Sequence, residues 1–570
     1  MATQESSGRS LRSRWIGGLP LVNALLARLR IDDLLERALP ASNRRARISP
    51  AHALGVLLRN LIVNQRRPLY TLSEWTRLAE PGLVGLAEGD AEALNDDRLG
   101  RALDVLFDAD RAALMTQLVV RAVREFEIDL SQIHNDSTTL TLQGRYENAD
   151  GRAARGQPTL AVTHGHNKDH RPDLKQLLLV LTISADGAVP VHFRSMDGNT
   201  TDDTTHVDTW DAIRRLAGGA DFLYVADCKL CTHEAMTHID GQGGRFVTIL
   251  PRTRREDRWF REYLLGQTPP WEEIERRDNP RRKGGPKDVW KVVESPLPSK
   301  EGYRIVWVWS SLKQERDAAA RQESIEKAWL ELAQLQARLR GPRSRTRELA
   351  QVAVAVEKIL SHRHADRFLA ATVAQIEEPV YRQEKRGRPG EKTRYVRRKR
   401  ARFVLTMRLI QEAIDADAKS DGMFPLITND RVLPAGKILE AYKFQPRLEK
   451  RHEQWKSVEG VAPVWLKSVV RVEAVLFLYF IALLVQSLLE REVRRAMKRE
   501  KLDELPLYPE DRACKAPSTE RILDLFEPLQ RHRLYEQERL RETFEPELSP
   551  LQRQIMRLLR VPASAFESVV

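Results

Sequence analysis

The sequence predicts a mixed α/β core behind an all-α N-terminal domain. Three observations carry this. Apolar residues recur at helical spacing from about residue 18 to 125. The period turns strand-like from Ile128. Strands and helices then alternate as meander, helix, strand, helix, strand, which is the pattern of a sheet covered by helices. At 570 residues the chain is too long for one ordinary core, so several domains are expected.

Residues 1–17 contain no apolar signal core and are expected to be disordered. Residues 18–125 form the all-α domain: Leu19–Leu29 and Ile31–Leu39 repeat a helical pattern, Ser49-Pro50 reads as a cap with proline at the first helical position, and Asn95-Asp96 caps a further helix. This domain serves either to bind DNA ends or dimerise, or as a structural bundle; its residues do not choose.

The core's first part spans 126–255. Its opening strand, Ile128 to Leu140, carries Asp136 in mid-run, where acidic residues are poor strand formers. Either Asn135-Asp136-Ser137 closes the strand as a turn, or the carboxylate is held on a rigid strand to ligate a metal. A loop from Gly144 to His170 follows, then an apolar strand from Asp173 to Ser184, a turn at Asp186-Gly187 and a partner strand from Val189 to Met196. A helix from His206 ends at Gly218-Gly219. The strand Phe222–Ala226 ends in Asp227, which either caps the next helix or sits where open α/β sheets gather ligands, at a strand's carboxyl end. Cys228 and Cys231 have CxxC spacing without a second pair and are read as incidental. A fifth strand covers Arg245–Leu250.

An insertion spans 256–402, with strands, a charged helical hairpin over 313–340 and 344–376, and a basic run from Tyr381 to Arg402. Within that run Arg386, Arg388, Arg397, Arg398, Lys399 and Arg400 suit phosphate contact, and Arg386-Gly-Arg-Pro-Gly resembles the core of a minor-groove AT-hook. A solvated hairpin is the plainer alternative. The core's second part, 403–490, holds Pro446 at a helix start and Glu449, Glu453 and Lys456 on one helical face at i, i+4 and i+7. A salt-bridged surface helix fits the same spacing. The apolar run Ala474–Val485 is too short to span a bilayer and reads as a buried helix. The tail, 491–570, is expected to be helical.

A net charge of +13 and a pI near 9.6 attract polyanions, nucleic acid before an acidic membrane, and no membrane segment supports the latter. Three cysteines make no disulfide framework and suit a reducing cytosol.

Three carboxylates on three rigid elements, Asp136, Asp227 and Glu449, make the set that two-metal phosphoryl transfer needs. With their surroundings they resemble the bacterial insertion-sequence transposases of the DDE type, in the group with a Tyr-x2-Arg-x3-Glu-x6-Lys signature around the third acidic residue. Tyr442, Glu449 and Lys456 match that signature at its spacing; the arginine position holds Gln445, a departure from the pattern. Ile133-His-Asn-Asp136 resembles the first block and Tyr224-Val-Ala-Asp227 the second. The resemblance covers roughly 20 to 500 and implies an RNase H-like core. It implies two Mg²⁺ ions, replaceable by Mn²⁺, on Asp136, Asp227 and Glu449. Tyr442, Gln445 and Lys456 would contact DNA. The implied partners are terminal inverted repeats and target DNA, with two subunits pairing the ends, in the cytoplasm and on the nucleoid. Three other readings stay open: an RNase H-like nuclease without strand transfer, a non-catalytic DNA-binding descendant, and a redox protein built on the cysteines.

Overall fold

A helical N-terminal domain is what the sequence predicts, and helices fill it: Leu19–Leu29, Ile31–Ala38, Pro50–Val63, Leu72–Leu78, Asp96–Asp108 and Arg111–Phe126. Asn95 and Asp110 cap the last two by accepting the Arg98 and Ala113 backbone N–H groups. The computed structural model describes residues 9–40, 47–63, 72–279, 282, 284–341, 348–458 and 466–567. Residues 1–8 of the expected disordered terminus lie outside that set. The chain falls into two compact units, Met1–Thr248 with Glu440–Val570, and Ile249–Leu439.

In the first unit, Arg9–Trp15 is strand β1, which corrects the disordered terminus expected over 1–17. The period switch at 128 then marks the sheet. Its strands are β2 (Gln132–Leu142), β3 (Lys175–Ser184), β4 (Pro190–Met196), β5 (Leu223–Ala226) and β6 (Arg245–Ile249). They lie in the order β4-β3-β2-β5-β6. β2, β3 and β4 form the expected antiparallel meander, whereas β5 runs parallel to β2 and β6 parallel to β5. The parallel crossings are made by the helices His206–Ala217 and His233–Gly241.

The second unit carries β7 (Glu272–Arg277), β8 (Asp288–Glu294) and β9 (Arg304–Ser310), then the long helix Ser311–Arg340. The next helix, Leu349–His362, ends 14 residues before the expected 376; His364 takes a left-handed conformation (φ 53°) just past it. From there β10 (Leu369–Gln383) and β11 (Tyr395–Leu409) pair over their full 15 residues as an isolated antiparallel ribbon. Alternation explains it. Leu369, Val373, Phe403 and Leu405 share one face and pack on Leu332, Leu335, Val352 and Val356 of the helical hairpin. β12 (Met423–Thr428) pairs with β9, and β9 with β8 and β8 with β7.

The remainder returns to the first unit. The helix Gln445–Glu453 begins with Pro446 near its start, as the sequence predicts. The helix Val469–Arg499 is buried almost all round, the mark of a core helix. Its most apolar 18-residue window is 100% buried. The sequence predicts an apolar segment over 461–489, and its start, 461–465, lies outside the described residues. Helices Asp96–Asp108, Pro50–Val63 and Pro550–Leu559 pack around it. The tail is not wholly helical. β13 (Leu505–Tyr508) pairs with β14 (Arg512–Cys514), and β15 (Gln530–Glu536) lies between β1 and β16 (Arg539–Phe544). The tail thus binds the N-terminal strand, with the Trp15 indole N–H on the Glu527 carbonyl at 2.8 Å.

Candidate active site

The strand β2 has two differently used faces. His134 and Asp136 point one way and Asn135 the other. Asn135 is buried (1% exposed); its amide accepts from the Thr182 hydroxyl at 2.8 Å and faces His206 Nδ1 at 3.5 Å, beside Tyr224. That satisfies a polar residue that the alternation places in the core. The other face lies under the helix Gln445–Glu453.

Register then brings the two aspartates together. In the parallel pairing Asn135 sits opposite Ala226. Asp136 and Asp227 are the next residues on the two chains, so they emerge side by side at the carboxyl end of β5. Asp227 accepts the Lys229 backbone N–H at 3.0 Å, and the Thr248 hydroxyl donates to its carbonyl. So the capping reading and the ligand reading of Asp227 hold at once: one oxygen caps, and the charge still faces Asp136. Asp136 stays in strand, not in a turn, and accepts the Ser137 N–H at 2.8 Å.

Burial pushes the Asp136 carboxyl up to about 7; the Lys168 ammonium opposes this, and the charges of Asp227 and Asp202 add to it. Asp227 is raised as well, by burial first and then by Asp202, against the Lys229 N–H and the Lys168 charge. Shared charges of one sign in a desolvated site mark a place that gains by taking up a cation.

Three members of this site were not singled out from the sequence. Lys168 lies in the loop before β3, with Nζ 2.7 Å from the Ser137 carbonyl, 3.0 Å from Ser137 Oγ, 2.9 Å from Asp202 Oδ2 and 4.0 Å from Asp136 Oδ1. Asp202 opens the 3₁₀ turn before the His206 helix, where an Asp-Asp pair reads as an ordinary cap. His452 is buried, with Nε2 3.9 Å from Asp136 Oδ2. Its place at i+3 from Glu449 was the available signal. Burial, with the Lys456 and Lys168 charges, lowers its pKa to about 3 and keeps the ring neutral.

The signature residues divide. Tyr442 is part of the site. Burial raises its hydroxyl first, and the charges of Asp227, Cys228, Glu449 and Asp136 raise it further. Lys456 pairs with Asp169 Oδ1 at 2.9 Å, beside Lys168. The neighbouring Trp455 anchors that segment, edge-on to Phe193 with ring centres 4.9 Å apart. Glu449 and Glu453 are both exposed on their helix. The Glu449 charge reaches Tyr442, but among the described residues no three His, Cys, Asp or Glu side chains converge closely enough, as they stand, to hold a metal ion.

Gln445 corrects the sequence reading. It is 5% exposed, its Oε1 accepts from His134 Nδ1–H at 2.8 Å, and its Nε2 donates to the Asn135 carbonyl at 3.2 Å. Gln132 meets the other ring nitrogen of His134 at 2.8 Å, and burial lowers that ring to a pKa of about 4. Gln445 therefore docks the helix onto β2 and is not offered to DNA. Arg451 fixes the far side of the same helix, pairing with buried Glu490 at 3.0 Å and donating to the Ala188 and Gly187 carbonyls at 3.0 and 3.2 Å.

A family model described as a domain of unknown function (DUF4277) matches residues 11–120. A search of the curated proteins finds no match. Among solved structures, the chain aligns with a piggyBac transposase synaptic complex with hairpin DNA at 11% identity and a TM-score of 0.25, over 52% of this chain and 59% of that one. It aligns with a Mos1 transposase paired-end complex with the left transposon end at 8% identity and a TM-score of 0.14, over 34% and 57%. The alignments span less than two thirds of either neighbour, and a likeness at those scores is too slight to carry a function across.

In the second unit the basic run lies at the distal end of the β10–β11 ribbon. Arg397, Arg398 and Lys399 are exposed and Arg400 half-buried on β11, opposite Tyr381, Val380, Pro379 and Glu378, and Arg386 and Arg388 stand in the exposed connecting loop. Lys399 pairs with Glu377 at 2.7 Å. None of Cys228, Cys231 and Cys514 forms a disulfide.

Proposed function

We propose that the chain is a DNA transposase of the DDE type, with an RNase H-like core, that cuts the ends of its insertion sequence and joins them to target DNA. One observation carries the reading: the register of β2 and β5 sets Asp136 and Asp227 side by side, desolvated, at a sheet's carboxyl end. Two unrelated structural aspartates would not need to meet there. The sequence blocks around them and the Tyr442–Glu449–Lys456 spacing support the same reading.

The donor set fits a hard divalent cation. It offers carboxylate oxygens, and the Lys168 ammonium already stands 4.0 Å from Asp136 and 2.9 Å from Asp202. Two Mg²⁺ ions, or Mn²⁺ in their place, would be held by Asp136 and Asp227 with Glu449 as third ligand, and would supply charge neutralisation and an activated oxygen nucleophile. The protein's own groups do the rest. Tyr442, which feels the charges of Asp227 and Asp136, and Lys456, which stands on Asp169 next to Lys168, would contact the DNA near the scissile phosphate. The β10–β11 ribbon presents a row of cations and interleaved Tyr381 and Tyr395 to a polyanion. A two-stranded ribbon has the width to enter a major groove.

The reaction is hydrolysis at the terminal inverted repeats followed by attack of the freed 3′-hydroxyl on target DNA, by two subunits on paired ends, in the cytoplasm and on the nucleoid. The test is incubation of the protein with labelled DNA carrying the repeats that flank its gene, with Mg²⁺ or Mn²⁺, beside Glu449→Ala and Glu453→Ala. Cuts at the repeat ends and strand-transfer products, lost in Glu449→Ala and kept in Glu453→Ala, are expected. Cutting without joining would indicate a nuclease. Specific binding without cleavage in either metal would indicate a non-catalytic descendant.

A further inference from the structure

We propose that Lys168 is a built-in counter-ion of the acidic site, moored by Asp202, that holds the carboxylates together before a divalent cation arrives and competes with that cation for Asp136. This rests on the reading of Asp136 and Asp227 as metal ligands.

Lys168 is placed by its loop. Its backbone N–H bonds the Thr139 hydroxyl at 3.1 Å, the next residue Asp169 accepts from the Thr141 hydroxyl at 2.9 Å, and Asn167 Nδ2 donates to the same Thr141 oxygen at 3.1 Å. These three contacts clamp the loop along β2 and leave the Lys168 side chain one direction to run, toward the carboxylates. An ammonium has three N–H donors. Here three short partners take them: the Ser137 carbonyl, Ser137 Oγ and Asp202 Oδ2, at 2.7, 3.0 and 2.9 Å. Asp136, at 4.0 Å, receives the charge but no hydrogen bond. The cation is therefore held beside Asp136 without closing it. A lysine that served only to saturate Asp136 would sit on it; one that served only the backbone would not need Asp202.

The mooring has a cost for a second cation. A fixed positive charge about 4 Å from a ligating carboxylate repels an incoming ion by an amount that grows as the site loses water. The Lys168 side chain is one-third exposed (32%), so an entering ion has somewhere to displace it. Displacement is felt further on, because Asp169, next in the loop, binds Lys456 at 2.9 Å, just beyond the Glu449 helix. Cation uptake and the position of the signature lysine are coupled through two adjacent loop residues.

The test is Mn²⁺ binding to the full-length protein without DNA, read from the EPR signal of free Mn²⁺, with thermal melts confirming that each variant is folded. Asp136→Asn is expected to lose the site. Lys168→Met, which keeps most of the stem, is expected to lower the Kd about tenfold, the scale set by removing one such charge in a half-buried site. Lys168→Gln gives the same direction if the methionine variant does not fold. Lys168→Arg is expected to leave the Kd within about twofold, since the charge stays. Asp202→Asn is expected to weaken binding in the presence of Lys168, which then swings onto Asp136, and to weaken it clearly less in the Lys168→Met background, where only the Asp202 charge itself is lost.

Two results overturn the proposal while leaving the metal site standing: an unchanged Kd in Lys168→Met where Asp136→Asn abolishes binding, or an equal loss on Asp202→Asn in both backgrounds, which would make Asp202 a ligand in its own right. An Asp136→Asn protein that binds Mn²⁺ as the wild type does would instead remove the transposase reading beneath it.

Discussion

Gln445→Ala separates a docking residue from a DNA contact. The wild-type side chain accepts the His134 Nδ1 proton and donates to the Asn135 carbonyl, both buried. Truncation leaves a buried donor and a buried acceptor with no partner, at about 1–3 kcal/mol each. Some of this is recovered where water enters, so a local loss of about 3 kcal/mol is expected. The affected backbone is that of β2 between His134 and Asp136. Hydrogen exchange of those amides should therefore quicken about a hundredfold, while the ribbon in the other unit is unchanged. DNA affinity, measured at one fixed salt concentration, should hold to within a few-fold, and strand cleavage should fall because Asp136 is less well held. Unchanged exchange on β2 with a clear drop in DNA affinity would refute this reasoning and return Gln445 to the surface role that its place in the signature suggests.

Asp136→Asn and Asp227→Asn should each abolish strand cleavage while leaving repeat binding nearly intact in a gel-shift assay; residual cleavage in either would remove that residue from the chemistry. Arg451→Ala takes one arginine from buried Glu490, which keeps Arg494 at 3.4 Å and the Thr519 N–H at 3.0 Å, and leaves the Ala188 and Gly187 carbonyls without that donor; it should destabilise by about 2–3 kcal/mol, seen as a lower thermal midpoint with no change in how the ribbon binds DNA. Burial lowers His206 to about 4, with Asp202 and Asp203 opposing; the unfolded imidazole takes its proton near 6.5, so stability is full above that pH and falls by about 3 kcal/mol as pH drops to 4. Urea midpoints across that window should slope less in His206→Gln, and equal slopes would refute the assignment. Arg398→Ala with Arg400→Ala should lower DNA affinity across sequences alike and reduce the salt slope by about one for each phosphate no longer neutralised; a sequence-selective drop would mean base reading.

The aspartates were legible because strand period is a local signal: a run such as Phe222–Ala226 announces both the strand and the residue that ends it. The buried helix was legible too, since Val469–Arg499 is apolar on every face. Pairing is not local, and that is where reading from sequence failed. β1 meets β15 across more than five hundred residues, and nothing in Arg9–Trp15 names its partner. Of the β10–β11 ribbon only the distal, basic half was legible, as the hairpin alternative for 381–402; the half resting on the helical hairpin reads as helix through 376, because its few apolar residues do not by themselves separate strand from helix. Lys168 and Asp202 each look like loop residues until the chain folds. Gln445 was misplaced for another reason: a family pattern fixes a position, while burial decides what the side chain at that position can reach.

Register is what turns two legible aspartates into one site. The Asn135–Ala226 pairing aligns the ends of two strands whose faces are set independently. Shift β5 by one residue and Asp227 moves to the opposite face, since side chains alternate along the strand. The contacts that forbid this shift lie off the carboxylates. The Leu223 N–H bonds the Ser131 carbonyl at 2.8 Å at the start of the pairing, and the Thr248 hydroxyl holds the Asp227 carbonyl at its end. Asn135, Thr182 and His206 lock β2 from the far face of the sheet. Thr248→Val removes one of these clamps without touching a carboxylate. It should lower cleavage and slacken Mn²⁺ binding together, through displacement of Asp227, while thermal stability falls by only about 1 kcal/mol. Cleavage and Mn²⁺ binding both at the wild-type level would show that the β2–β5 register holds Asp227 without help from β6.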